Sequence, residues 1–341
     1  MALALSDSRR GTPWSRRALF SGIPLRARAD ADFWIRVSRI AMACRFEVTL
    51  ASRDAAWVPA ARAALDGVDE VERQLSIFRD SSHVADVNRR AAAEPVTVDD
   101  RFFDLLSLCA ELHNDTCGAF DITSTPLSRC WGFLQREGRL PSPDAIAAAM
   151  ARVGLEHVRL DPIARSVRFG REGVELNFGA VGKGHALDSV AHGMREAGVQ
   201  HALLSAGRSS LLAIGGRDGG WQVDVISPRA QGALARVFLR NAAVGTSGTG
   251  EQFVVVDGVR YGHVLDPRTG WPASGVLSAT VIASSSAVAD ALSTAFLVGG
   301  VTLAHEYCAS HPGVLALVTP EGSARRTILV GHHPGALVEE A

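Results

Sequence analysis

Val174-Glu175-Leu176-Asn177-Phe178 runs directly into Gly179-Ala180-Val181-Gly182-Lys183-Gly184, and the reading of the whole chain turns on this stretch. The first five residues alternate apolar and polar, which predicts a strand over 174–178. From Lys183 the period changes. Ala186, Leu187, Val190, Ala191 and Met194 share one helical face and Gly198 follows as a stop, so a helix is expected over 183–197. Glycines in the turn between them permit close backbone approach, and a helix start offers unpaired N–H groups and partial positive charge, which together suit an anion. Two common phosphate loops are excluded. Gly184 stands where a Walker loop needs Ser or Thr, and Leu187 stands where the dinucleotide fingerprint needs its third glycine. A tight glycine turn with no ligand explains the same residues equally well.

Outward from this helix the chain breaks into short elements. Phe46 to Leu50 reads as a strand, Ala56 to Leu75 as one long amphipathic helix, and Val96 to Val98 as a short extended piece. Helices are expected from Asp100 to about Asn114, capped by Asp99 or Asp100, and from Pro143 to Val153, ended by Gly154. Strands are expected at His157–Leu160, Ser166–Phe169, Ala202–Leu204, Gln222–Val225, Ala235–Leu239, Phe253–Val256 and Ser278–Ala283. A last buried helix should run from about Ala287 to Val298, closed by Gly299-Gly300, before a strand at Val314–Val318. Strands that look antiparallel, with helices in pairs, predict α+β layers with mostly antiparallel sheets. The expected organisation is a disordered or loosely attached arm over 1–31, one domain over 32–325 and a polar tail over 326–341. There is no fixed-period repeat.

Composition narrows the function. With 47% apolar and 21% charged residues, the 341-residue chain can bury a sizeable core. A formal net charge of −1 provides no basic face for nucleic acid. Of 35 basic residues, 34 are arginine and one is Lys183. A lone lysine in such a chain marks a task unsuited to a planar, permanently charged guanidinium, although chance survival gives the same count. Cys44, Cys109, Cys117, Cys130 and Cys308 are odd in number and scattered, so they form neither a disulfide framework nor a zinc site, and they read as buried free thiols in a reducing compartment. Ser15-Arg16-Arg17-Ala18-Leu19-Phe20 is similar to a twin-arginine export signal, and Ala41-Met42-Ala43-Cys44 to a lipoprotein cleavage box. Charged residues interrupt the apolar run each would need: Arg26, Arg28, Asp30 and Asp32 in one case, Arg36 and Arg39 in the other. Both are read as coincidences, which favours the cytoplasm. No apolar stretch reads as long enough to span a membrane.

Three further groups could carry chemistry. Asp290 lies in an almost wholly apolar helix, where a carboxylate is costly without a partner, and Thr294 shares its face four residues on. Two hard oxygens side by side suit Mg2+, while an acid stabilised by the helix dipole after Ser284-Ser285-Ser286 is the plainer account. Tyr261-Gly262-His263-Val264-Leu265-Asp266-Pro267-Arg268-Thr269-Gly270 offers His263 as an acid–base group beside turn chemistry, or a structural histidine and a salt-bridged turn. Gly118-Ala119-Phe120-Asp121-Ile122-Thr123, with Pro126-Leu127 and Trp131-Gly132-Phe133, sets one acid among apolar groups that could face a ring system or fill a core.

In this order the motifs resemble the ApbE-type FAD:protein FMN transferases. The markers are the Gly118–Thr123 run, Ala-x-x-Lys-Gly-x-x-x-Asp at Ala180 to Asp188, Thr-Ser-Gly at Thr246 to Gly248, the Tyr261–Gly270 run and Asp-Ala-Leu-Ser-Thr at Asp290 to Thr294. The likeness extends from about Met42 to Gly300. It implies a T-fold-like layered α+β architecture and Mg2+-dependent cleavage of the FAD pyrophosphate, with FMN passed to a Thr or Ser hydroxyl of an acceptor flavoprotein and AMP released. It implies Asp290 and Thr294 as metal ligands, with Ser293 assisting and Ala180 giving its carbonyl. Lys183 would hold the phosphates, and Met42, Phe78, Ala119, Phe120, Asp121 and Val264 would contact the flavin nucleotide. His263 would stand at the reacting centre. Members of the family commonly work outside the cytoplasm, at the periplasmic or membrane face.

The chain departs from the family pattern at three places. Met42-Ala43-Cys44 replaces the usual Met-Gly-Thr, Asn177 replaces an Asp six residues before the lysine, and Gly207-Arg208-Ser209 replaces a Gly-Gly-Asp turn. Asn177 can still hydrogen-bond a ribose or adenine group, whereas Arg208 alters acceptor or pyrophosphate geometry. Two other activities fit the same motifs: an FAD pyrophosphatase giving FMN and AMP, and an FAD-binding scaffold without turnover.

Overall fold

The computed structural model describes residues 33–217, 219–229, 232–250, 253–322 and 326–340. The segment similar to an export signal and the arm expected over 1–31 lie outside the described residues. The chain opens with a hairpin of β1 (Trp34–Ala41) and β2 (Cys44–Ala51). It continues through α1 (Val58–Asp66), α2 (Val68–Leu75), α3 (His83–Arg90), β3 (Val96–Thr97), α4 (Asp100–Asp115), α5 (Thr125–Cys130) and α6 (Pro143–Met150). Strands β4 (Val158–Asp161) and β5 (Ser166–Phe169) join β3 in a small sheet. Then come α7 (Gly182–Glu196), β6 (Ala202–Ala206), β7 (Ser210–Ile214), β8 (Trp221–Ile226), β9 (Ala233–Leu239) and β10 (Ala243–Gly248). The hairpin β11 (Phe253–Val256) and β12 (Val259–Gly262) precedes β13 (Val276–Ala283), α8 (Ser286–Ser310), β14 (Leu315–Pro320), β15 (Ile328–Gly331) and β16 (Ala336–Glu340).

The centre is an eight-stranded sheet, ordered β1-β2-β6-β7-β10-β13-β14-β15, with every neighbouring pair antiparallel. Alternation along its strands serves two cores, as the period of a pleat requires. Leu204, Leu212, Ala243, Val281 and Val318 face the helices, while Leu203, Leu211, Val244, Ile282 and Leu317 face a three-stranded sheet of β16, β9 and β8. The result is the expected α+β fold of helices and mostly antiparallel sheets. A third cluster, Leu127, Trp131, Phe133, Ile146 and Leu265, lies apart from both and packs against Val254 and Tyr261 of the β11–β12 hairpin.

Several local expectations need correction. Val174–Phe178 joins no ladder. Its backbone is paired instead by side chain and loop: Asn88 Nδ2 donates to Leu176 O, Leu176 N–H donates to Asn88 Oδ1, and Asn177 N–H donates to Ile122 O. Ala56–Leu75 is not one helix, because it begins as a 3-10 turn and breaks at Gly67 between α1 and α2. The segment 326–341 is not a polar tail over its described length, since β15 pairs with β14 and β16 with β9. Helix α8 runs past Gly299-Gly300 to Ser310, although Gly300 (φ 73°, ψ −164°) does interrupt its helical geometry. It is also long and apolar enough to cross a membrane, contrary to expectation, but 67% of that apolar window is buried inside the protein, as in a core helix.

Two close approaches bring α7 and α8 together at the sheet. A Cβ on Gly184 would lie 2.2 Å from Ser286 O, and one on Gly245 in β10 would lie 2.5 Å from Ala289 O. Only glycine permits α8 to sit this close to both neighbours. Asp188 of α7 then ties down the start of α8, accepting from Ser285 Oγ at 2.8 Å, Ser286 N at 2.8 Å and Ala287 N at 2.9 Å. A carboxylate there satisfies orphan N–H groups and complements the helix dipole.

Candidate active site

The glycine approaches carry the first turns of α8 to the start of α7, and there Asp290 meets its partners. Its carboxylate is buried, accepting from Gly184 N at 2.8 Å and from Ser210 Oγ at 2.7 and 3.0 Å. Burial pushes its pKa up to about 6, while the Lys183 ammonium and these two hydrogen bonds pull in the other direction. One helical turn on, Ser293 and Thr294 point their hydroxyls to Ser247 Oγ in β10, at 2.8 and 3.1 Å. These oxygens and Ala180 line one cavity.

Lys183 enters at the second position of α7 and is half-buried. Its ammonium donates to Ser209 Oγ in the turn between β6 and β7. The preceding loop is set by Asn177, whose Oδ1 accepts from Gly179 N at 2.9 Å. Phe178 O accepts from Gly182 N at 2.6 Å, so the chain turns sharply into the helix.

A second group is built by the loop before α5. Asp121 is buried and accepts from Thr123 N at 2.7 Å and Thr123 Oγ1 at 2.6 Å, with His113 Nδ1 3.3 Å away. Burial raises its pKa, against the opposing pull of the Thr123 bonds and His113. Thr123 Oγ1 in turn accepts from Gly154 N at 2.7 Å, so Asp121 organises its own loop as well as facing the cavity. Ala119 and Phe120 are buried beside it. Opposite stand His263 and Val264, on the segment after β12. That segment is fixed by Ala273 N donating to Val264 O at 2.9 Å and, further on, by Trp131 Nε1 donating to Gly270 O at 2.9 Å.

These residues enclose two joined spaces. The inner one, about 310 Å³, is lined by Ala119, Phe120, Asp121, Asn177, Ala180, Lys183, His263, Val264, Asp290, Ser293 and Thr294. The outer one, about 910 Å³, is lined by Met42, Phe78, Arg79, Arg136 and Arg208. Both are bounded by Phe133, Leu134, Asn177, Gly179, Lys183 and Ser209, which form a neck. Met42 belongs to the two-residue turn between β1 and β2, with φ of 49° at Met42 and 57° at Ala43. That left-handed pair suits the twist of a hairpin and normally calls for Asn or Gly. Phe78 is 77% exposed at the outer rim.

Every residue that the resemblance assigns to the metal, the nucleotide or the reacting centre therefore lines one of the two spaces. Sequence reasoning gave no task to Ser209, Ser210 or Asp188, and it quoted Gly184 and Ser247 only as members of motifs. Ser209 and Ser210 sit at the turn where the family pattern fails, so no motif pointed to them. For Ser247 the available signal was its place in the Thr246-Ser247-Gly248 marker.

A family model described as the ApbE family matches residues 42–318. The chain belongs to the ApbE family. The FAD:protein FMN transferase of Klebsiella pneumoniae (strain 342) is 31% identical over 294 residues, covering 83% of each chain. The FAD:protein FMN transferase of Treponema pallidum (strain Nichols) is 32% identical over 297 residues, covering 80% of each. Among solved structures, the ApbE protein of Thermotoga maritima superimposes with a TM-score of 0.77 at 30% identity, covering 86% of this chain and 97% of that one. Flavinyl transferase ApbE of Pseudomonas stutzeri gives 0.73 at 29%, covering 89% and 96%.

Proposed function

We propose that this ApbE-family chain is a Mg2+-dependent FAD:protein FMN transferase, cleaving the FAD pyrophosphate and attaching FMN to a Thr or Ser hydroxyl of an acceptor flavoprotein. The observation that carries the reading is the buried Asp290 carboxylate, set with the Ser293 and Thr294 hydroxyls in the same cavity as Lys183.

The residues fit a hard divalent cation. Asp290 is a desolvated acid whose pKa rises to about 6 with only protein groups around it, which is the state a cation would relieve. The oxygens gathered on this side of the cavity are the Asp290 carboxylate and the Ser293, Thr294 and Ser247 hydroxyls, with Ala180 lining the same space. Among the described residues no cluster of three or more His, Cys, Asp or Glu could hold a metal, so a cation here would share its coordination with ligand phosphates. Mg2+ bound to Asp290, Thr294, Ser293 and Ala180 would neutralise charge on the pyrophosphate.

The chain's own groups then divide the work. Lys183 holds phosphate oxygens as negative charge moves onto the leaving group. Phe120, Ala119, Val264 and Phe78 offer apolar surface to flat rings. The acceptor hydroxyl oxygen bonds to the phosphorus of the FMN half. The bond from that phosphorus to the bridging oxygen breaks, and AMP leaves with that oxygen. His263, facing the inner cavity, takes the hydroxyl proton.

The test combines FAD, Mg2+ and an acceptor flavoprotein carrying a Thr or Ser attachment site. Transfer appears as a gain of the FMN mass on the acceptor together with AMP by chromatography, and Asp290→Ala abolishes both. Free FMN with an unmodified acceptor would point to a pyrophosphatase instead. Transfer unaffected by Asp290→Ala would remove the metal assignment.

A further inference from the structure

We infer that Asn177 reads the pyrophosphate link of the dinucleotide as a hydrogen-bond donor, which makes it a specificity residue at the neck between the two spaces. The inference rests on FAD as the ligand and goes further by assigning a direction to one hydrogen bond.

The neck is where Phe133, Leu134, Asn177, Gly179, Lys183 and Ser209 line both spaces, and Asn177, Lys183 and Ser209 are its polar side chains. A ligand with a planar group at each end and a charged middle must pass its middle through it. The polarity of the neck follows from bonds already made. Asn177 Oδ1 accepts from Gly179 N at 2.9 Å. A backbone N–H cannot donate to an amide NH2, so this contact fixes which end of the Asn177 side chain is oxygen. Its Nδ2 is left with two N–H donors and no acceptor among the described residues. Ser209 Oγ already accepts from the Lys183 ammonium, so its own proton remains to be donated. Lys183 has only donors. The neck contains no carboxylate: the acids around the two spaces are Asp121 and Asp290 on the inner side and Glu72 on the outer side.

Three donor side chains at the neck recognise an acceptor-rich, negatively charged segment. It does not suit ribose hydroxyls or an adenine amino group presented as donors. An aspartate at 177 could still accept from Gly179 N, but it would turn lone pairs and negative charge toward the neck. Asparagine at this position inverts what the neck reads.

The experiment measures equilibrium affinity of the metal-free protein for FAD, ADP and riboflavin, using flavin fluorescence and competition. Metal-free conditions keep the substrate intact. Asn177→Asp should weaken FAD and ADP by about tenfold or more, the equivalent of one charge-assisted hydrogen bond. Riboflavin, which has no phosphate, should change less than about twofold. Asn177→Ser is neutral and can also accept from Gly179 N, so it should fall between wild type and Asn177→Asp for FAD. Asn177→Asp binding FAD as tightly as wild type would overturn the inference. An equal loss for riboflavin would overturn it too, because that is the mark of a collapsed loop. Wild-type protein that fails to bind FAD at all would overturn the functional reading along with it, a result visible before any substitution is made.

Discussion

Replacing Asp290 with asparagine should make the metal-free protein more stable near neutral pH while removing its response to Mg2+. Burial raises the carboxyl pKa from 3.8 to about 6. The folded state therefore holds its proton to higher pH than the unfolded chain does. For an acid raised in this way, the folded state pays no ionisation penalty below the unfolded value. The penalty grows as pH climbs through the window from 3.8 to about 6 and is complete above it. About two pH units correspond to about 3 kcal/mol. Asparagine does not ionise, its Oδ1 can accept from Gly184 N, and its Nδ2 can donate to Ser210 Oγ, so both neighbours stay satisfied. Urea denaturation of metal-free wild type and Asp290→Asn across pH 4 to 8 isolates the difference, because other groups cancel between the two proteins. The variant should gain over wild type as pH rises, by up to about 3 kcal/mol at pH 8, and the gap should close near pH 4. Added Mg2+ should raise the melting temperature of wild type only. A pH-independent gap, or a wild type that is the more stable protein at pH 8, would refute the account of Asp290 as a desolvated carboxylate awaiting a cation.

Three other changes probe the frame of the site. Gly184→Ala places a methyl 2.2 Å from the Ser286 carbonyl, which is backbone and cannot swing aside; it should cost about 3 kcal/mol or prevent folding, and a urea midpoint equal to wild type would contradict the close approach of α7 and α8. Ser210→Ala removes the hydroxyl that donates to both Asp290 oxygens. Its cost should be about 2 kcal/mol at pH 8, where the partner is charged, and clearly less at pH 4, as denaturation at the two pH values will show. Ala43→Gly relieves a left-handed alanine at φ 57°. A relief of about 1 kcal/mol, less the extra freedom of glycine in the unfolded chain, leaves a net gain of about 0.5 kcal/mol, visible as a higher urea midpoint at unchanged slope.

The parts of the fold that could be read from sequence were those with strong periodicity. Helix α7 and strands β5 and β11 lie within a residue of expectation because their apolar spacing has one interpretation. Val174–Phe178 carried the same alternation and is not a strand, because its partners are the Asn88 side chain and the Ile122 carbonyl, which no local pattern announces. The strands β7 and β10 were missed for the opposite reason. Ser210-Leu211-Leu212-Ala213-Ile214 is buried on both faces and shows no alternation, while Ala243-Val244-Gly245-Thr246-Ser247-Gly248 is rich in small polar residues that usually mark turns. Those two strands hold Ser210, Gly245 and Ser247, so the half of the site built from them was hidden with them. Asp290 was legible because a carboxylate in an apolar helix needs a reason. Its partners lie 106 and 80 residues away, a separation that only the tertiary structure reveals.

The site divides its labour between rigid and irregular parts of the chain. Lys183 and Asp290 come from α7 and α8, two helices locked by Gly184, Gly245 and the Asp188 contacts, so the charges that would meet a pyrophosphate and its cation are fixed by the same packing that forms the core. The groups that would read a ligand lie between or beside regular elements: Met42 between β1 and β2, Ser209 between β6 and β7, Asn177 before α7, and His263 after β12. Turns can change residues without disturbing the core. The three departures from the family pattern, at Ala43-Cys44, Asn177 and Arg208-Ser209, fall at turns, at the first residue of β2 or in the segment entering α7, whereas Lys183, Asp188 and Asp290 lie on the locked helices. A chain that kept the charge machinery and altered only its rim should retain the chemistry and differ in how it grips the nucleotide. Asn177→Asp, Gly184→Ala and Asp290→Asn therefore test separable things: recognition, framework and charge.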